Sequence, residues 1–142
     1  MIVLFMAAAL LVQSPPQNAG WTWTLYADAT PAVLANEVPD TASLRATLEC
    51  DPGASVARLT LYGGPDLVGL ARITAGEASA VTEAATARAG ASRLVLRTDH
   101  PVFAAFTVDG RLMIMVGDQR RPVEIPAVHL AKLRRFAELC SG

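Results

Sequence analysis

The sequence predicts a mainly β domain, an antiparallel β-sandwich or small barrel, with a short helix and a C-terminal α-helix packed on the sheet. Three observations predict this fold class. Short segments of alternating apolar and polar residues recur about every 8–12 residues along the chain. Two of these segments flank a tight turn. The last segment places apolar residues at the three- and four-residue spacing of a helix. The length of 142 residues suits one domain.

Nine segments have the alternation, or the β-branched and aromatic content, that is typical of strands. The clearest pair, residues 43–50 and 56–62, flanks Asp51-Pro52-Gly53 and predicts a hairpin. Residues 63–66 read Gly-Gly-Pro-Asp and predict another turn, because they lack the lysine and the Ser/Thr of a phosphate-binding loop. The predicted strands are residues 21–26, 31–38, 43–50, 56–62, 67–74, 79–87, 93–98, 112–116 and 123–125.

Residues 78–91 are rich in alanine, so helix and strand compete in this part of the sequence. Val81, Thr82 and Thr86 carry β-branched side chains, which restrict χ1 and favour a strand. We therefore predict a strand over residues 79–87, with a helix as the competing interpretation.

Two segments predict helices. In residues 101–108, Phe103 and Phe106 lie three apart after a proline, and Asp109-Gly110 ends the segment. The final helix follows Pro126, which fits a first helical turn, and its last turns carry positive side chains that complement the helix dipole. Its apolar stripe consists of Leu130, Leu133, Phe136, Ala137 and Cys140.

Residues 1–19 are predicted to be a secretory signal peptide. The apolar run from Ile2 to Val12 is eleven residues long, too short to cross a membrane, and the first charged side chain is Asp28. Pro15-Pro16 breaks the run, and Ala19 offers a small-residue cleavage site. We expect a periplasmic mature chain of residues 20–142. The alternative is a buried N-terminal helix in a cytosolic protein.

The only two cysteines, Cys50 and Cys140, are predicted to form a disulfide. Cys50 lies on the apolar face of its strand, and Cys140 lies on the apolar stripe of the final helix. Two inert buried thiols or a redox pair are the competing interpretations. A redox pair is disfavoured because there is no Cys-x-x-Cys and no basic residue beside Cys50.

Charge is unevenly distributed along the chain. The net charge of −1 argues against a general nucleic-acid binder. Residues 21–110 carry six cations and ten acids, whereas residues 111–142 carry six cations and three acids. We predict that the C-terminal cations form a surface for an anionic partner, here called the basic edge; the alternative is a solvated helix face. The basic edge comprises Arg120, Arg121, Lys132, Arg134 and Arg135.

No catalytic residue, metal site or cofactor is predicted. His100 and His129 are the only histidines and do not form a metal-binding pair, so we interpret His100 as a helix-entry residue and His129 as a cover for the core edge. No serine lies in a Gly-x-Ser-x-Gly turn. Trp21 and Trp23 are interpreted as core residues, whereas an exposed pair would suggest a carbohydrate or protein contact.

The order of these features resembles small secreted, periplasmic two-cysteine proteins of Gram-negative bacteria. The resemblance rests on a leader, a Trp strand, the Leu48-Glu49-Cys50 strand with its hairpin, the Asp99-His100-Pro101 helix start and the Arg135 to Cys140 tail. It implies the disulfide and the periplasmic location and supplies no catalytic residues. We predict a non-enzymatic periplasmic interaction module that binds a protein or an anionic envelope component. The alternatives are a small hydrolase whose site assembles only in the fold, and a structural subunit of an envelope complex.

Overall fold

A computed structural model describes residues 20–142, so the predicted signal peptide and its cleavage after Ala19 lie outside the described residues. Residues 20–142 form nine strands and two α-helices, and two single 3₁₀ turns cover Arg88–Gly90 and Ala127–His129. The elements are β1 (Thr22–Tyr26), β2 (Ala32–Glu37), β3 (Leu44–Cys50), β4 (Val56–Leu61), β5 (Gly69–Ala75), β6 (Ala78–Thr86), β7 (Ser92–Arg97), α1 (Pro101–Asp109), β8 (Arg111–Val116), β9 (Gln119–Glu124) and α2 (Leu130–Cys140).

The nine strands of residues 20–142 form one curled antiparallel sheet in the order β1-β2-β3-β4-β7-β6-β5-β8-β9. All nine predicted strands and both predicted helices are present, and β9 begins four residues earlier than predicted. The predicted class, mainly antiparallel β with a short helix and a C-terminal helix on the sheet, is confirmed. The predicted hairpin is the β3–β4 pair, in which Leu48 lies opposite Leu59.

Both helices pack against the inner face of the curl and share one hydrophobic core with it. Helix α1 contacts β5, β6 and β8, α2 contacts β1 and β2, and the two helices contact each other. Phe103 and Phe106 meet edge to face, with ring centroids 5.9 Å apart. No helix within residues 20–142 is long and apolar enough to cross a membrane.

Local sequence explains the start and end of α1. Pro101 occupies the first turn, and the His100 Nδ1 accepts a hydrogen bond from the Val102 N–H at 3.1 Å, so the helix-entry interpretation of His100 is confirmed. Gly110 ends the helix at φ +76°. A Cβ at this position would lie 2.3 Å from the Ile125 carbonyl oxygen, so only glycine fits here.

The alanine-rich segment is a strand, as predicted. All seven residues of β5 pair with β6, from Gly69 opposite Ala84 to Ala75 opposite Ala78. The outward side chains Val81 and Glu83 alternate with side chains that are more buried, which is the period of a strand and not of a helix. Pairing with β5 therefore overrides the helix propensity of alanine in this segment.

A disulfide joins Cys50 to Cys140 with their Cα atoms 5.8 Å apart, which confirms the predicted bridge. Two backbone hydrogen bonds flank it, from the Gly53 N–H to the Leu139 oxygen at 3.0 Å and from the Ser55 N–H to the Cys140 oxygen at 2.7 Å. We call this part of the molecule, where β3 ends, β4 begins and α2 ends, the staple end.

Candidate functional site

The two edges of the sheet, β1 and β9, leave an open seam. The Trp23 carbonyl of β1 accepts a hydrogen bond from Lys132 Nζ of α2 at 2.6 Å, so it is satisfied by the helix. Pro122 lies within β9, where it has no N–H to donate to a further strand. One acceptor of β1 is thus occupied, and β9 has one donor fewer to offer a further strand.

A cleft of about 500 Å³ lies at this seam. Its lining includes Arg45 and Ala46 at the start of β3, which ends at Cys50, so the cleft is at the other end of the sheet from the disulfide. Its floor is formed by buried side chains, and its rim carries polar and aromatic ones. We call this site the seam cleft. The floor is Trp23, Ala46, Leu61 and Val123, and the rim includes Trp21, Arg45, Tyr62, Arg121, Glu124 and His129.

Both tryptophans of the chain line the seam cleft. Trp23 is only 3% exposed, so its interpretation as a core residue is confirmed. The interpretation of Trp21 as a core residue is wrong, because Trp21 is half-buried and lies outside the core cluster. The Arg45 guanidinium carbon lies 4.0 Å from the centroid of the Trp21 ring. This stacking is a cation–π interaction, which holds a cation and an aromatic surface together at the rim.

Arg121 reaches from β9 to the turn that follows β4. Its Nη1 donates to the Gly63 oxygen at 2.7 Å, and its Nη2 is 3.3 Å from the Tyr62 oxygen. Gly64 is in the left-handed region at φ +72°, and a Cβ there would lie 2.7 Å from Arg121 Nη1. The predicted turn at residues 63–66 therefore has a second role, since its backbone receives a cation from the opposite edge.

His129 lies half-buried on the rim, in agreement with a side chain that covers the core edge. Burial lowers the pKa of His129 below its ordinary value of 6.5, and nearby Lys132 lowers it further. The imidazole is therefore neutral at neutral pH. Its Nδ1 atom is buried and makes no hydrogen bond with any described residue. Glu124 and Tyr62 line the same cleft, and neither is hydrogen-bonded to this nitrogen.

The basic edge is divided between several contacts. Arg121 donates to the Gly63 oxygen and Lys132 to the Trp23 oxygen, whereas Arg134 donates to the Thr107 and Val108 oxygens at the end of α1, at 3.1 and 3.3 Å. Arg135 lies 3.4 Å from Glu138 on its own helix, and Arg120 is exposed on β9. Most of these cations are thus bonded to backbone oxygens, and binding of an anionic partner by the five together stays a prediction.

Arg45 and Tyr62 are site residues that sequence reasoning missed. Arg45 lies on β3 and Tyr62 directly follows β4, and the Tyr62 N–H donates to the Arg45 oxygen at 2.9 Å. The alternation of residues 43–50 and 56–62 indicated the hairpin, but the register that sets Arg45 beside Tyr62, and Trp21 near both, depends on the pairing of four strands.

The described residues contain no group of three His, Cys, Asp or Glu side chains that could hold a metal ion. Comparison with protein-family models, curated proteins and solved structures found no match.

Proposed function

We propose that this protein is a non-enzymatic binding module of the periplasm, and that its seam cleft takes a segment of an anionic envelope polymer. One observation carries the proposal: both tryptophans, Tyr62 and two arginines line a single cleft at the open seam of the sheet. Its volume of about 500 Å³ is within the range of roughly 300–1,000 Å³ that is usual for small-ligand sites.

The lining favours an anionic ligand with apolar faces, such as a carboxylate-bearing glycan. Trp21 and Tyr62 supply flat apolar surface, and Arg45 and Arg121 supply positive charge. Glu124 is the only carboxylate among the described residues of the lining, so cations outnumber acids. A ring that contacts an aromatic side chain and places its acidic group near a guanidinium would satisfy both kinds of surface.

Export to the periplasm is part of the proposal. The disulfide supports it, since disulfides persist in oxidising compartments and are rare in the cytosol. The apolar, uncharged segment before residue 20 has the composition of a secretory leader. Mass spectrometry of the protein from a periplasmic extract should give a chain that starts near residue 20 and lacks free thiols. A full-length cytosolic chain with two alkylated cysteines would contradict this part of the proposal.

Binding is favoured over catalysis because the one histidine of the cleft has no acid partner at its buried nitrogen. The hydrolase alternative predicts that purified protein degrades the polymer it binds and that His129→Ala abolishes this. Binding alone predicts unchanged polymer after prolonged incubation, as measured by size-exclusion chromatography.

Tryptophan fluorescence tests the proposal directly, because the only two tryptophans line the cleft. Soluble peptidoglycan fragments, as carboxylate-bearing probes, should shift the emission at saturation, while neutral dextran fragments should not. Arg121→Gln should weaken binding about tenfold, which corresponds to the loss of one charge-assisted contact. Arg72→Gln, an exposed arginine of β5 outside the cleft, is the charge-matched control and should bind like wild type. Equal affinity in the two variants would reject the seam cleft.

The basic edge makes a competing prediction for the same ligand. If the cations of α2 carry binding, wild-type affinity should fall as salt rises, and the double substitution Arg134→Glu with Arg135→Glu should abolish binding. If the seam cleft carries binding, this variant should retain wild-type affinity to within a few fold. Capture of a protein from periplasmic extract by wild type, with no response to the glycan probes, would assign the partner to the protein class instead.

A further inference from the structure

We propose a second site, an oxyanion site for a phosphate group, on the outer face of the sheet. A recess of about 700 Å³ opens there between β4, β7 and the turn after β6. Two arginines and three hydroxyl side chains line it: Arg88, Arg93, Thr60, Tyr62 and Thr86. We call it the arginine recess. Tyr62 lies between this recess and the seam cleft and lines both, but neither the basic edge nor the seam cleft contains Arg88 or Arg93, and the inference rests on these two arginines.

Strand register places one of the two guanidiniums. Arg93 of β7 lies opposite Thr60 of β4 on one side and Ala85 of β6 on the other. Thr60 is only 2% exposed, although it is polar and faces away from the core. Its Oγ1 is 3.3 Å from Arg93 Nε and accepts that N–H. The Nη atoms of Arg93 make no hydrogen bond with any described residue, so they are available to a ligand in the recess.

The turn after β6 places the second guanidinium, which belongs to Arg88. Arg88 begins a single 3₁₀ turn in which Ala89 has φ +59° and ψ +31°, a left-handed conformation that a residue with a Cβ rarely adopts. The turn is closed by the Ala87 N–H, which donates to the Ala91 oxygen at 2.6 Å. This closed turn brings Arg88 to the rim of the recess that Arg93 lines.

The chemistry of the lining selects an anion. No aspartate or glutamate lines the recess within residues 20–142, so two positive charges are not neutralised there. A guanidinium presents a planar fork of N–H donors that matches carboxylate and phosphate oxygens in pairs. Two such forks and three hydroxyls offer more donors than the two oxygens of a carboxylate can accept, whereas a phosphate monoester presents three strong acceptor oxygens. The donor set therefore fits phosphate better than carboxylate.

The phosphate group could belong to a soluble phosphomonoester or to a lipid headgroup, and the test separates these sources. In ¹H–¹⁵N NMR titrations at constant ionic strength, inorganic phosphate should shift the amides of residues 86–93, and acetate should shift them much less. Arg88→Gln and Arg93→Gln should each weaken phosphate binding about tenfold. The control Arg72→Gln should leave it unchanged. Vesicles of phosphatidylglycerol should broaden the same amides only if a lipid headgroup is the source; glycerol phosphate alone should shift them if the source is soluble.

The proposal is overturned if acetate binds as well as phosphate, or if Arg72→Gln weakens binding as much as Arg88→Gln. Both arginines of the recess are exposed, so their variants should fold, and an unchanged thermal midpoint checks this. Thr60→Val removes the acceptor that orients Arg93 while retaining its charge, and it should weaken phosphate binding by a smaller factor than Arg93→Gln. Tryptophan emission of Arg93→Gln should still respond to peptidoglycan fragments, so failure of one site is distinguishable from failure of the other.

Discussion

The two ends of the sheet use their polar groups differently. At the staple end, Cys50 and Cys140 are bonded to each other, and the backbone of the β3–β4 turn is hydrogen-bonded to the last residues of α2. At the other end, which we call the cleft end, Arg121 of β9 donates to the Gly63 oxygen and Lys132 of α2 donates to the Trp23 oxygen of β1. The seam cleft and the arginine recess are open at this end. One end is closed by covalent and backbone bonds, whereas the other presents side chains to solvent.

This difference indicates that the two ends of α2 have different roles, one in stability and the other in binding. The helix starts beside His129 at the seam cleft and ends at the disulfide, so the staple fixes the far end of an element that borders the site. Binding sites usually consist of side chains that are free to contact a ligand and that a rigid scaffold holds in position. Perturbing the staple end should therefore change stability, and perturbing the cleft end should change binding.

The largest effect is expected from removal of the disulfide. Cys50 and Cys140 are 90 residues apart in sequence, so the bond restricts a long loop in the unfolded chain. Cys50→Ala with Cys140→Ala should lower the free energy of unfolding by about 4–5 kcal/mol in the chain-entropy description. Urea unfolding of the two proteins measures the difference. Below the transition, affinity for peptidoglycan fragments should be unchanged; a loss of affinity in the folded variant would contradict the proposed separation of the two ends.

A smaller loss of stability is expected when the Lys132 contact at the seam is removed. Lys132→Met retains much of the aliphatic stem but leaves the Trp23 carbonyl without its donor, which should cost about 1–2 kcal/mol. Arg135→Ala on the same helix breaks only an exposed ion pair with Glu138 and should cost less than about 0.5 kcal/mol. Equal stability of the two variants would show that the Lys132 contact does not hold β1 to α2.

Alanine substitutions at two neighbouring glycines separate an effect on stability from an effect on binding. Gly63 and Gly64 have φ of +71° and +72°, so alanine at either should cost about 1 kcal/mol. A Cβ at Gly63 meets nothing within 4 Å, whereas one at Gly64 displaces the tip of Arg121. Thermal unfolding should find the two variants similar, and tryptophan titration should find weaker glycan binding only for Gly64→Ala. The same affinity in both would exclude Arg121 from the site.

The smallest expected effect is the contribution of His129 to the pH dependence of stability. Burial lowers the pKa of folded His129, so below pH 6.5 the unfolded chain takes up this proton more readily than the folded protein. Its contribution to stability is full above pH 6.5 and is lost as the pH falls through the lowered folded value. His129→Gln should flatten the fall in stability as the pH is lowered below 6.5, as measured by urea unfolding. Asp99, whose pKa is lowered by its hydrogen bond from Arg97, acts below its ordinary value of 3.8 and does not interfere.

The fold was more predictable from sequence than the site. Strand alternation and helical stripes are local patterns, so they identified both helices, all nine strands and the inward direction of Cys50 and Cys140. Strand order is not local: β4 pairs with β7, and β5 with β8, across intervening elements. The seam cleft depends on that order, because it combines Trp21, Tyr62 and Arg121 from three separate strand regions. The sequence indicated Arg121 as part of a charge excess but gave no signal for Arg88 with Arg93.

The central claim is that ligand binds at the cleft end and not at the staple end. Residue-resolved NMR with soluble peptidoglycan fragments tests it most directly, because each end has its own amides. We predict saturable shifts at Trp21, Trp23 and Tyr62, including both indole N–H signals, with none at Ser55 or Leu139. Shifts confined to the staple end, or to Arg134 and Arg135 on α2, would contradict the claim.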